Sequence, residues 1–436
     1  MFTRAMVFSF CVAGILAVSS LEVLAHDHSV HFDVLHTFDV ADATTGASPT
    51  GSQPDTRPAI GRDGSIYGMT YLGGPNGTGV IYRYRDGHYK VLHAFGALDA
   101  NGNNADGANP GVAITVGPDN VFYGMASFGG LYGSGTVFSF TAEGHFKVLH
   151  NFSALSSTGT NEDGAAPLRT IIIGSDGNLY GTTRIGGLAG LGVAWVMNKA
   201  GAFSVIHEFQ PQDGGHVASL TEGHDGYLYG CTVFPTPQKG VGALYRMSPS
   251  GGHFEVLYRF TPANAQGENP DGADCFEPLT EVKPGVFVGA GRAGGPNGTG
   301  VVFAYSLSHP GKVSILHAFS ALNASGENPD GASPYARLSV GDAGNLYSTT
   351  AAGGATGNGV VYRLRLDGQF KVLWTFSAVD PVTGANRDGS DPDYGVTRDG
   401  DDSWVGIADY GGSGSKAGGT GNGTLYRLHV DDDNDE

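Results

Sequence analysis

Val34-Leu35-His36-Thr37-Phe38 stands out of order in this chain, and that displacement decides the fold. Its pattern is two aliphatic residues, His or another ring, any residue, and Phe. The pattern returns six times, as Val91-Leu92-His93-Ala94-Phe95, Val148 to Phe152, Val205 to Phe209, Val256 to Phe260, Ile315 to Phe319 and Val372 to Phe376. Each of those six copies closes a unit that opened with two other motifs. The first is a turn running into an aromatic strand, as in Asp63-Gly64-Ser65-Ile66-Tyr67-Gly68. It occurs seven times, marked by Gly68, Gly124, Gly181, Gly230, Gly289, Ser348 and Gly406 at intervals of 49 to 59 residues. The second is Gly-x-Gly leading into an alternating strand, as in Gly77-Thr78-Gly79-Val80-Ile81-Tyr82-Arg83, and it also occurs seven times. A short apolar stretch such as Val112-Ala113-Ile114-Thr115-Val116 or Thr170-Ile171-Ile172-Ile173 supplies a fourth strand.

A seventh unit with its first strands at the C-terminus and its last at the N-terminus makes sense only if the repeats close into a ring. A solenoid has no use for such an arrangement. Four strands per unit, closed radially, make a β-propeller. The sequence therefore predicts an all-β, seven-bladed propeller with four antiparallel strands per blade. Val34–Phe38 completes the blade begun near Tyr394, so only short outer strands remain as edges. Helical 3.6-residue periodicity of useful length is missing after the N-terminal segment.

Composition agrees with a turn-rich ordered fold. Gly accounts for 72 of 436 residues, more than twice the average usage of about 7%. No Gly-X-Y run exists, which excludes collagen, and 40% hydrophobic residues are enough for a core. The net charge of −18 comes from 24 basic and 42 acidic residues. The basic residues are scattered singly, so no nucleic-acid-binding face is expected. Residues 431–436, Asp-Asp-Asp-Asn-Asp-Glu, read as a solvated acidic tail.

Residues 1–25 read as a signal peptide. Arg4 supplies the positive start, Met6 to Val18 is apolar apart from Ser9 and Gly14, and Val23-Leu24-Ala25 offers a small-residue cleavage site before His26. The apolar run is shorter than the roughly 18–20 residues a span needs. The expected product is a single propeller domain over residues 26–430, monomeric, periplasmic or extracellular, with no membrane span after signal removal. Cys231 and Cys275 then remain. Two readings stand for them: a disulfide, which an exported compartment permits, or two buried thiols serving as small hydrophobes.

The repeat resembles that of the GloVer (Gloeo/Verruco) tandem-repeat proteins of bacteria, in which Gly-Asn-Leu-Tyr-Gly-Thr-Thr is followed by Gly-Gly and then Gly-x-Gly with an aromatic strand. Gly177 to Thr183 with Gly186-Gly187 carries the likeness, which extends over about residues 32 to 430. The resemblance implies an exported protein and implies no particular activity. Many members end in a sorting anchor, where this chain has its acidic tail.

With strands A to D ordered from the axis outward, the A–B and C–D turns share one face and are short: Asp63-Gly64, Asp176-Gly177, Asp86-Gly87 and Asp367-Gly368 suit hairpins with Gly at positive φ. The B–C loops, with Gly-Gly, and the D–A loops, with Asn-x-Asp-Gly, share the other. A ligand site belongs on that long-loop face and at the channel mouth. The Asn-x-Asp-Gly loops could suggest Ca2+, but the EF-hand Glu is never present at its place, and Asx turns explain the recurrence better; no cofactor is expected. His36, His93, His150, His207 and His317 share one strand position with Tyr258 and Trp374, which indicates ring packing with a polar tip rather than a general base.

Residues that break the repeat are the informative ones. Arg184, Arg292 and Asp409 end strand B where other blades have small or apolar residues. Arg57, Arg169, Glu277 and Arg337 do the same near the start of strand A. They form either a charged ring able to hold an acidic group or intramolecular Arg–carboxylate pairs between blades, the simpler reading. The function this supports is an exported module binding a glycan, peptide or envelope protein. The alternative is a polysaccharide- or small-molecule-directed lyase or hydrolase, on the analogy of other exported propellers with Asp-Gly-Asn-Leu turns such as the streptogramin lyases. For that alternative His216 and Glu222 are the nominated pair.

Overall fold

The computed structural model describes residues 30–42, 44–233, 242–413 and 422–431. The expected signal peptide and all but the first residue of the acidic tail lie outside the described residues. Seven antiparallel sheets form seven blades. In blade 7 the N-terminal strand Val30–Thr37 is the outermost. It pairs with Thr424–Val430 from Val30↔Val430 to Thr37↔Thr424, and that strand pairs in turn with Ser403–Ala408. The displaced motif thus closes the ring. Among the described residues the only helical pieces are two 3₁₀ turns, Pro211–Asp213 and Asp342–Gly344, and no helix is long and apolar enough to cross a membrane.

The inner strands are less regular than the repeat predicts. Blade 1 splits its inner strand into Ser48–Pro54 and Ala59–Ile60, and blade 4 into His216–Val217 and Thr221–Glu222. Val112–Ala113 of blade 2 pairs in parallel with Arg169 and Thr170 of blade 3.

The core lies between blades. One apolar cluster fills each of the seven interfaces, for example Tyr67, Met69, Ile81 and Phe95 of blade 1 against Ile114, Phe122 and Phe138 of blade 2. The marker glycines belong to this packing. Gly181 lies opposite Trp195, and a Cβ there would come within 2.3 Å of the indole. Strand C lays its ring across the bare backbone of strand B, which is why glycine recurs at this place.

A β-bulge shapes every outer strand. Ile81 pairs with His93 and Tyr82 with Val91, so Leu92 is the extra residue, and the same skip occurs in the other six blades. Such a bulge re-aims the neighbouring side chain. His93 stacks on Phe146 of the next blade at 3.9 Å and reaches Asp106 through Nε2 at 2.9 Å. His150, His207 and His317 repeat the pairing with Asp163, Asp213 and Asp330, while Tyr258 and Trp374 donate to Asp271 and Asp388. The polar tip expected from the sequence is therefore a clasp on the D–A loop. Asn104 completes it: its amide donates to the Gly96 and Gly107 carbonyls, and its oxygen accepts from the N–H groups of Gly107 and Gly130. In the loop from Asn104 to Gly107 the side-chain oxygens are thus committed to backbone and His93.

Candidate functional site

Equivalent positions on the inner strands set the levels of the channel. Asp55, Phe276, Tyr335 and Asp393 occupy one position, Arg169, Glu277 and Tyr394 the next, and Arg57 and Arg337 the one after. Arg169 has a left-handed backbone, with φ at 72°, and sits in the register break between Leu168 and Ile172. Strand alternation is interrupted there, which lets its guanidinium meet residues from blades 5 and 6.

One side of the mouth is cationic and aromatic. A cleft of ≈ 540 Å³ is lined by Phe128, Arg169, Arg184, His216, Phe276, Arg292 and Tyr335, among others. Phe276 and Tyr335 lie 5.3 Å apart. Arg169 stands 4.6 Å from the Tyr335 ring and 5.3 Å from that of Phe276, and Arg292 lies 5.2 Å from Phe276, all within cation–π range. Arg169 is paired with Glu277 at 3.0 Å and donates to the Tyr335 hydroxyl. Burial works against its charge, but Tyr335 and Glu277 hold its proton more firmly than usual. Arg292 pairs with Asp274 at 3.3 Å while its side chain stays 44% exposed, and Arg184 is exposed.

The opposite side, built by blades 7 and 1, is acidic. Asp55, Asp391, Asp393 and Asp409 act on one another there. Burial, opposed by the Tyr394 hydroxyl and Arg169, pushes Asp55 up to about 6. Burial and the neighbouring carboxyls raise Asp393 and Asp409 well above the ordinary range. Burial raises the Asp391 carboxyl as well, and the Asp393 N–H donates to the Asp391 carbonyl.

Deeper in the channel, Arg57 donates to Thr397, Ser339 and the Val396 carbonyl, and Arg337 to Thr280. Both line a second cavity of ≈ 510 Å³. Burial and the nearby Arg337 bring Arg57 down to about 9, which leaves it cationic at neutral pH. Glu277 faces Arg169, Arg57 and Arg337, which counter the upward push of burial on its carboxyl.

The seven residues singled out from sequence therefore do not lie in one ring. Arg169, Arg184 and Arg292 meet at the cleft, Glu277 is consumed by Arg169, Arg57 and Arg337 belong to the cavity below, and Asp409 belongs to the acidic side. The levels differ because strand A advances about 3.3 Å per residue and the seven residues occupy different positions along it and on strand B. His216 and Glu222 are not brought together. His216 Nδ1 contacts the Arg184 carbonyl at the mouth, whereas Glu222 accepts from Ser175 next to the Asp176-Gly177 turn on the opposite face. Cys231 and Cys275 are joined by a disulfide that ties blade 4 to the segment carrying Asp274 and Phe276. Sequence reasoning missed Asp55, Phe276, Tyr335 and Asp393. Comparing the inner strands one position earlier, where other blades have Gly111 and Val217, would have found them.

Several solved structures are similar at low identity. An oligogalacturonate lyase from Vibrio parahaemolyticus is 12% identical over 92% of this chain and 98% of that chain, with a TM-score of 0.49. A PQQ-bound aldose sugar dehydrogenase from Streptomyces coelicolor is 13% identical over 92% and 99%, with a TM-score of 0.39. A gluconolactonase from Xanthomonas campestris is 14% identical over 91% and 95%, with a TM-score of 0.38. No curated protein matches the sequence. The Gloeobacter/Verrucomicrobia repeat model matches residues 24–162 and 153–329, more than half of the chain, and the protein belongs to that family.

Proposed function

We propose that the protein is an exported binding module whose long-loop mouth captures a periplasmic or extracellular ligand, a glycan, peptide or envelope protein, through an acidic group on it. The observation that carries this reading is the cleft in which Arg184 and Arg292 stand exposed beside the rings of Phe276 and Tyr335. Guanidinium forks bind carboxylates in plane, and flat rings beside them receive the apolar face of a sugar or side chain. Titration calorimetry against acidic and neutral oligosaccharides and peptides tests it. An acidic ligand should bind, and the double variant R184A/R292A should lose at least tenfold in affinity while keeping its melting temperature. Equal binding by that variant overturns the reading. Export predicts a secreted chain beginning at His26, checked by mass spectrometry of the mature N-terminus.

The lyase or hydrolase reading has one observation in its favour. Asp55, pushed up to about 6 beside Tyr394, is poised for proton transfer near neutral pH. Release of product from an acidic polysaccharide, abolished by D55N, would establish it.

A further inference from the structure

We infer that the lower part of the channel is a second binding site, one that takes a small carboxylate with an apolar body from the short-turn face. Its cavity of ≈ 510 Å³ has a cationic side, Arg57 and Arg337, and an apolar wall that includes Ile60, Ile114, Val116 and Ile173. Ile60, Val116 and Ile173 each stand three residues before the turn aspartate of their blade, Asp63, Asp119 and Asp176, and each is partly exposed. The cavity therefore extends toward the face opposite the arginine cleft.

Hydroxyl groups hold the two guanidiniums in place. Ser339 donates to the Val396 carbonyl and Thr397 to that of Pro58, and both accept from Arg57, at Nη2 and Nε in turn. Thr280 does the same for Arg337: it donates to the Leu338 carbonyl at 2.7 Å and accepts from Nε at 3.3 Å. Ser339 follows Arg337 by two residues, so Arg57 reaches past blade 7 to the segment that carries the second arginine. Among the described residues Arg57 Nη1 and both terminal nitrogens of Arg337 have no hydrogen-bond partner. Those donors are left to the cavity that both residues line. A guanidinium held at Nε presents its remaining N–H groups to a carboxylate in plane.

The charges of the cavity favour an anion. Neither Arg57 nor Arg337 forms an ion pair with any described residue. The carboxylate that acts on both is Glu277, and its Oε1 is already bonded to Arg169 at 3.0 Å. A buried cation without a partner is unfavourable, so an entering carboxylate relieves both guanidiniums at once. The isoleucine wall opposite them selects among anions. A hydrocarbon body gains there by leaving water, a gain that an inorganic anion forgoes.

An acid can also enter the arginine cleft, so the test is made on the mature chain carrying R184A/R292A, which keeps both cavity arginines. Titration calorimetry uses sodium 3-methylbutanoate and sodium benzoate, the neutral amides of these two acids, and sodium phosphate. At least one acid should bind one to one, with its amide at least tenfold weaker and phosphate weaker than the acid. Adding Arg337→Gln should weaken the acid at least tenfold. Binding of neither acid overturns the inference, as does equal binding of acid and amide, tighter binding of phosphate, or acid binding that survives Arg337→Gln unchanged. The comparison of acid with amide needs no change in the cavity, so the test holds even where Arg337→Gln fails to fold.

Discussion

The clasps of blades 1 to 6 and the clasp of the latch blade differ in a single partner. His93, His150, His207 and His317 each place Nε2 on an aspartate of the following loop. His36 in blade 7 keeps the stacking, at 4.0 Å on Tyr89, but its Nε2 is buried without a partner. Thr50 stands where the other loops have Asp, and it donates to Asp39 instead. The place where the ends meet thus lacks the ring-to-aspartate tie of the other blades and is sealed by apolar burial, strand pairing and the hydrogen bonds of Thr50 to Asp39 and Ser52 to Asn422. Repetition holds the architecture, while the relaxed copy marks the seam.

Breaking the seam has the largest expected effect. Phe38 is 1% exposed among Ile66, Tyr82, Val405 and Leu425. Phe38→Ala should cost about 3–5 kcal/mol, read by urea unfolding, because both the side chain and the strand closure depend on it. Next is the interface between blades 4 and 5. Five other interfaces press a proline onto a preceding glycine, as Pro110 does on Gly79, Pro167 on Gly135 and Pro334 on Gly300. Cys275 takes that proline position and is bonded to Cys231. The double Cys→Ser variant should lose about 2–4 kcal/mol, again measured by urea unfolding.

A regular clasp should matter less. Asp106→Ala strands both His93 Nε2 and the Gly96 N–H, an expected loss of about 1–3 kcal/mol. The smallest effect separates seam from clasp by pH. Burial lowers the folded pKa of His36 below its unfolded value of 6.5. The unfolded chain then binds more protons, so this contribution to stability is present above pH 6.5 and declines as pH falls below it. In the clasps, Asp163 and Asp330 resist the upward push of burial through hydrogen bonds from His and Ser and stay below 3.8. Their contribution is lost only as pH falls under that value. His36→Phe should narrow the difference in melting temperature between pH 7.5 and pH 5.

Much of this was legible before any coordinates. The displaced Val34–Phe38, the spacing of the markers and the Gly-x-Gly motifs specify ring, blade count and closure, because they reflect local pairing and turn chemistry. The bulge at Leu92 and its six counterparts left no mark, since a bulge is a relation between two strands. The candidate site was legible only in part. Arg169 and Arg292 were found because they break a repeat, whereas Asp55 and Asp393 were passed over one position away.

Sequence alone therefore determined the propeller and its seam, since these follow from periodic residues that each blade repeats. Tertiary structure decided which of the unrepeated charges meet. That depends on how far each inner strand has risen along the axis, and on the left-handed turn at Arg169 that carries its guanidinium across the channel to Glu277. The division of the mouth into an arginine side and a carboxyl side follows from that packing, because it joins residues more than a hundred positions apart in the chain.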